Sequence, residues 1–106
     1  VLKSGCTSEI RLLKLWRMKH SLEFPSLLIE LVTLEALSGS KLTARSARLR
    51  RVLSFIVSDI QTRRFVDPSN TANIVSDDLD AQEKRDIAAA AAKSFSDSLT
   101  DWSLVL

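Results

Sequence analysis

The sequence has few of the residues that break regular structure. Among 106 residues there are two glycines and two prolines. An all-β design needs many tight turns, and these depend on such residues. Their scarcity argues for a few long helices instead. There is one cysteine, Cys6, so no internal disulfide can form. That composition suits a reducing compartment, and we expect a cytoplasmic protein. There is one histidine, His20, and no tyrosine. No signal peptide or membrane span is visible. The longest apolar stretch, Leu27 to Leu37, is interrupted by Glu30, Thr33 and Glu35. The chain opens on Val1, without a methionine, which suggests a piece of a longer protein.

What is present is globular in composition, 45% hydrophobic and 26% charged, enough for one domain with a modest core. The net charge of +2 conceals an asymmetry. Residues 1–76 carry 12 Lys and Arg against 6 Asp and Glu, a balance of +6, whereas residues 77–106 carry 3 against 7, a balance of −4. A basic segment can attract an anion such as a nucleotide or nucleic acid. The two halves can equally fold together and offset one another.

Four helices are expected. Thr7 or Ser8 can cap the first, which runs to about Lys19 with Glu9 in its first turn. At about 100° per residue, Leu12, Leu13 and Trp16 cluster on one side while Ile10, Lys14 and Met18 share the other. A helix that is apolar on two faces calls for a neighbour on each, and the second can lie outside this chain. Pro25 suits the first position of the second helix, "PSLLIELVTLEAL". Its polar stripe is Ser26, Glu30 and Thr33, and it stops at Ser38-Gly39. Thr43 can cap the third helix, which continues to about Ile60. Leu49, Val52, Leu53, Ile56 and Ile60 follow a helical period, with Arg45, Arg48, Arg50 and Arg51 on the other faces. "FVDPSNTANIVSDD" reads as one long ordered loop, with turn chemistry at Asp67-Pro68-Ser69-Asn70. Asp78 or Asp80 caps the last helix, and Asp80 with Glu83 resembles a capping box. The run Ala88–Ala92 favours helix and permits close packing, and Phe95, Leu99 and Trp102 continue one face. The fold class is therefore all-α: a compact bundle of four to five helices, with the long loop before the last.

No catalytic constellation is visible. His20 at a helix end serves the helix dipole more simply than catalysis. Cys6 and His20 make no defensible nucleophile pair. Asp77, Asp78 and Asp80 are explained by capping rather than by metal, and zinc lacks ligands. The arginines can be ordinary solvated charges or can grip phosphates. Without interleaved aromatics, stacking on bases has no support.

Three stretches, "EIRLLKLW", "FPSLLIELVTLEAL" and "FVDPSNTANIV", occur in this order over about residues 9–100. Together they resemble the helical C-terminal domain of the DNA polymerase β-like nucleotidyltransferases. Within these, they are most similar to the oligoadenylate synthetase and cyclic GMP-AMP synthase group, which includes the bacterial cyclic-oligonucleotide synthases. The resemblance implies a nucleotidyl-transfer enzyme whose catalytic carboxylates lie in an N-terminal domain not present here. The helical domain would form one wall of the nucleoside triphosphate cleft. It implies that Lys14 and Ser26 reach the triphosphate, that Leu27 stands near the base, and that Glu30 is structural. It implies that Asp67, Pro68 and Asn73 are scaffold. No cofactor would be bound by this chain, and Mg²⁺ or Mn²⁺ would belong to the whole enzyme. Two departures stand out. The family often has tyrosine where this chain has Leu27, which limits that contact to apolar packing, and a second proline where this chain has Thr71. Arg45, Arg48 and Arg51 are further candidates for phosphate or RNA contact. A competing expectation is a non-catalytic module, binding nucleic acid through Arg45, Arg48, Arg50 and Arg51 or binding another protein.

Overall fold

The computed structural model describes residues 6–99. Four α-helices account for most of them: α1 (Thr7–Lys19), α2 (Ser26–Leu37), α3 (Arg45–Asp59) and α4 (Ala81–Ser98). Between α3 and α4 the chain forms a small antiparallel hairpin, β1 (Val66–Asp67) with β2 (Asn70–Ile74), then a 3₁₀ turn at Val75–Asp78. The helical bundle is as expected. The hairpin modifies the all-α expectation inside the segment read as a loop. Its turn is Pro68-Ser69, and the Asp67 carboxylate accepts from the Ser69 amide at 2.9 Å and the Ser69 hydroxyl at 2.7 Å. Such Asx geometry lets two short extended segments pair without a glycine.

The core lies where the helical period placed it. Leu49, Val52, Leu53, Ile56 and Ile60 are all buried, facing Leu28, Ile29 and Val32 of α2 and Ile87, Ala88 and Ala91 of α4. The most extensive contact joins α3 to α4, where the alanine run brings the backbones close. Two buried hydrogen bonds tie distant segments together. The Trp16 indole Nε1 donates to Ser94 Oγ at 2.9 Å, linking α1 to α4. The Phe65 amide donates to the buried Ser76 Oγ at 3.0 Å, anchoring the hairpin.

Helix ends depart from the sequence reading in several places. Neither Thr7 nor Ser8 caps α1: Cys6 takes the cap position, and no side chain caps the helix amides there. Glu9 is buried instead of exposed, its carboxylate 3.4 Å from the Arg48 guanidinium. Pro25 sits just before the first helical residue, and its carbonyl accepts the first helical bond from Ile29. Thr43 lies outside α3, whose cap position is Ala44. Asp80, not Asp78, caps α4, and both bonds of the capping box with Glu83 are present. Leu99 is exposed rather than part of the α4 packing face, and Trp102 lies outside the described residues.

One helix end is unusual. At the close of α1, Ser21 has a φ of 51°. Its amide donates to Met18 O, and the Leu22 amide donates to Arg17 O. This is the Schellman pattern, whose left-handed position most often holds glycine. It turns the chain sharply enough for Phe24 and Pro25 to start α2 beside the end of α1. The end of α2 uses glycine as expected, with Gly39 at a φ of 72°. No described helix is long and apolar enough to cross a membrane.

Candidate anion site between the first two helices

Ser26 is the first residue of α2 and is exposed. An α-helix leaves its first amides without intrahelical acceptors, so this end is partly positive. No acidic residue lies in the first turn of α2, and no side chain caps it. Arg17 of α1 reaches over it. Its Nη1 donates to Phe24 O at 2.7 Å and to Ser26 Oγ at 3.0 Å. The guanidinium is thus fixed at the mouth of α2, and the Schellman turn is what brings the two together.

Lys14 lies one turn before Arg17 on α1, an i, i+3 relation that puts the two side chains on neighbouring positions. It is half-buried, and it makes no hydrogen bond or ion pair among the described residues. Arg17 therefore links the start of α2 to the face of α1 that carries Lys14. Arg17 was not singled out from the sequence. Its spacing from Lys14 was a usable signal, but its partner depends on the turn at Ser21, which no glycine announces. Leu27 is half-buried and packed against the core, so part of its surface is already covered. Glu30 is half-buried, while Thr33 is fully buried with its hydroxyl donating to Ile29 O at 2.8 Å.

Beyond Arg17 lies a crevice of about 360 Å³, bordered by Glu23, Asp78 and Glu83 as well as by Phe24 and Pro25. These carboxylates repel a polyanion, so the favourable approach is from the Lys14 and Ser26 side. On the outer face of α1, Leu15 and Met18 are 54% and 72% exposed, alongside the exposed Arg11. Of the second apolar face expected of this helix, Met18 is uncovered by the described residues, whereas Ile10 packs against the core, and the uncovered apolar surface is Met18 with Leu15.

The α3 arginines do not form one surface. Arg48 donates to Leu42 O and pairs with Glu9, Arg50 donates to Ser98 O and Oγ, and Arg51 donates through Nε to Ala36 O. Arg45 is exposed and borders one crevice with Arg48, while Arg50 and Arg51 border another. Asp67 of the hairpin has its pKa lowered by the Ser69 hydroxyl and amide, with Asn73 and the Asn70 amide adding to this. Its partners all lie within the hairpin.

Among the described residues, groups for covalent chemistry do not converge. Cys6 is buried 3.6 Å from an Arg48 nitrogen, and the His20 ring packs against Trp16 with centroids 5.6 Å apart. Among the described residues no three His, Cys, Asp or Glu side chains gather to hold a metal ion. In comparisons with protein-family models, curated proteins and solved structures, nothing matches this chain.

Proposed function

We propose that this chain is the helical C-terminal domain of a polymerase β-like nucleotidyltransferase and that its α1–α2 junction contacts the triphosphate of an incoming nucleotide. The observation that carries this reading is the junction itself. Arg17 is clamped to Ser26 at an uncapped, acid-free helix start, with Lys14 one turn away and lacking a partner among the described residues. A triphosphate is matched by a compact ammonium, a planar guanidinium, a hydroxyl and free backbone amides. Lys14 and Ser26, though not Arg17, lie in the sequence motifs that resemble the family, and this supports the reading.

In this role the chain binds and orients. Lys14 and Arg17 oppose the charge on the phosphates, and Ser26 fixes their position at the α2 start. Positioning and electrostatic complementarity of this kind are the main levers a protein has on phosphoryl and nucleotidyl transfer. The described residues offer no metal cluster, so no step is assigned here to Mg²⁺ or Mn²⁺. The carboxylates that would hold such an ion belong to the proposed N-terminal domain, which also accounts for the uncovered Leu15 and Met18 as a contact surface. The isolated chain is expected to have no activity.

The test is Lys14→Ala in the longest natural polypeptide containing this chain, with nucleotide affinity and turnover both measured. Losing one charge-assisted contact to phosphate, worth about 1.5–3 kcal/mol, predicts affinity weaker by about tenfold or more. Unchanged affinity and turnover remove Lys14 from the site. The encoded sequence before Val1 is expected to carry a Gly-Ser turn followed by an Asp-x-Asp pair. Reading that segment tests the enzyme class independently of Lys14.

A further inference from the structure

A second groove on the described surface lies away from the α1–α2 junction and shares no residue with it. It runs along α3, where Ala47, Arg50, Arg51, Ser54 and Phe55 fall on one helical face, and Phe95 of α4 forms the facing wall. Its volume is about 490 Å³, within the range of small-ligand sites.

Two features make it more than a surface depression. First, Arg51 is anchored. Its Nε donates to Ala36 O at 2.7 Å, at the carbonyl end of α2, and its two Nη groups have no partner among the described residues. That is a guanidinium fork held in place with its bidentate edge uncommitted, the geometry that grips a carboxylate or phosphate. Ser54, one turn on, adds an exposed hydroxyl that is likewise unpartnered among the described residues. No carboxylate borders the groove among those residues, and Arg50 adds a second positive charge. Second, the apolar wall is built from rings. Phe55 is held by an edge contact with Phe65, centroids 6.2 Å apart, and by Arg63 at 5.6 Å from its centroid. Phe95 is half-buried across from it. A cationic fork beside two phenyl rings selects a ligand that is anionic at one end and flat and apolar at the other.

We propose that this groove binds a small aromatic anion, a phosphate or carboxylate carried on an aromatic ring, with the charge on Arg51 and Ser54 and the ring between Phe55 and Phe95.

The experiment titrates phenyl phosphate into the isotope-labelled chain at low ionic strength and follows its amide NMR spectrum. Saturable shifts are expected at Ala47, Arg51, Ser54, Phe55 and Phe95, and not at Ser26. Inorganic phosphate, lacking the ring, should bind about tenfold more weakly. Arg51→Gln should weaken phenyl phosphate by about tenfold or more, since a charge-assisted pair is lost. Ser54→Glu, at an exposed position the fold does not depend on, should abolish binding by offering Arg51 an internal carboxylate. Four results would overturn the proposal: no saturable shifts in a folded protein, shifts centred on Ser26, equal affinity for inorganic phosphate, or binding unaffected in both variants.

Discussion

Replacing Ser94 by alanine tests how α1 is held to the rest of the bundle. Trp16 and Ser94 are each 1% exposed, and the indole Nε1 has the Ser94 hydroxyl as its acceptor at 2.9 Å. In Ser94→Ala the indole N–H stays buried and loses that acceptor. An unsatisfied buried donor costs about 1–3 kcal/mol. Alanine is the better helix former by roughly 0.5 kcal/mol, which offsets part of this. The net destabilisation is then about 0.5–2.5 kcal/mol, and at about 4–8 °C per kcal/mol for a domain of this size Tm should fall by roughly 2–20 °C. Ser96→Ala is the control. It lies on the same helix, but it is exposed and its side chain makes no hydrogen bond among the described residues. That variant should gain at most about 0.5 kcal/mol from helix propensity. Thermal and urea unfolding followed by circular dichroism would compare the two. Equal stability of Ser94→Ala and Ser96→Ala would refute the view that this hydrogen bond secures α1.

Other perturbations have equally definite outcomes. Ser21→Gly should raise stability by about 0.5–1 kcal/mol in urea unfolding, because a left-handed residue with a side chain is strained. Asp80→Ala should cost about 0.5–2 kcal/mol by removing the capping box of α4, and Asp78→Ala, outside that box, should cost much less in the same assay. The Asp67 carboxyl should titrate below 3.8 by NMR, and Ser69→Ala should move its midpoint upwards. A folded pKa that is depressed contributes stability above the unfolded value and loses it as pH falls through the folded one. Order in the hairpin turn should therefore weaken only in that acidic window.

How far the sequence revealed this structure differs from element to element. The α3 core positions were readable because five apolar residues at helical spacing define a face whatever the rest of the chain does. The α4 start was readable because Asp80 and Glu83 act on each other locally. The last residue of α1, Lys19, was readable too, but the left-handed turn after it was not, because the residue there is a serine and its strain is carried by bonds from Ser21 and Leu22. The hairpin was hidden in part, for a related reason. Its turn was readable at Asp67-Pro68-Ser69-Asn70, but its depth is fixed by the Ser76 hydroxyl, eleven residues from its partner Phe65. Glu9 looked like a first-turn dipole residue, but its partner Arg48 is distant in sequence and turned it inward. Arg17 was overlooked because its importance depends on where the turn delivers Ser26.

The cations of this domain divide by what they touch. Arg48, Arg50 and Arg51 each donate to a backbone carbonyl of another segment, so each holds the fold whatever else it does. Replacing any of them touches stability as well as binding, so a loss of ligand is read beside the unfolding of the same variant. Arg17 is of the same kind, since it also secures Phe24 O. Lys14 differs. It is half-buried one turn before Arg17, yet no described residue accepts from it. A lysine commonly buries its aliphatic stem while its ammonium stays in water, open to an anion. Removing the ammonium while keeping the stem, as in Lys14→Met, should therefore leave unfolding unchanged. A clear drop in stability for that variant would mean the charge holds the bundle together, and the reading of the junction as an anion site would lose its one uncommitted group.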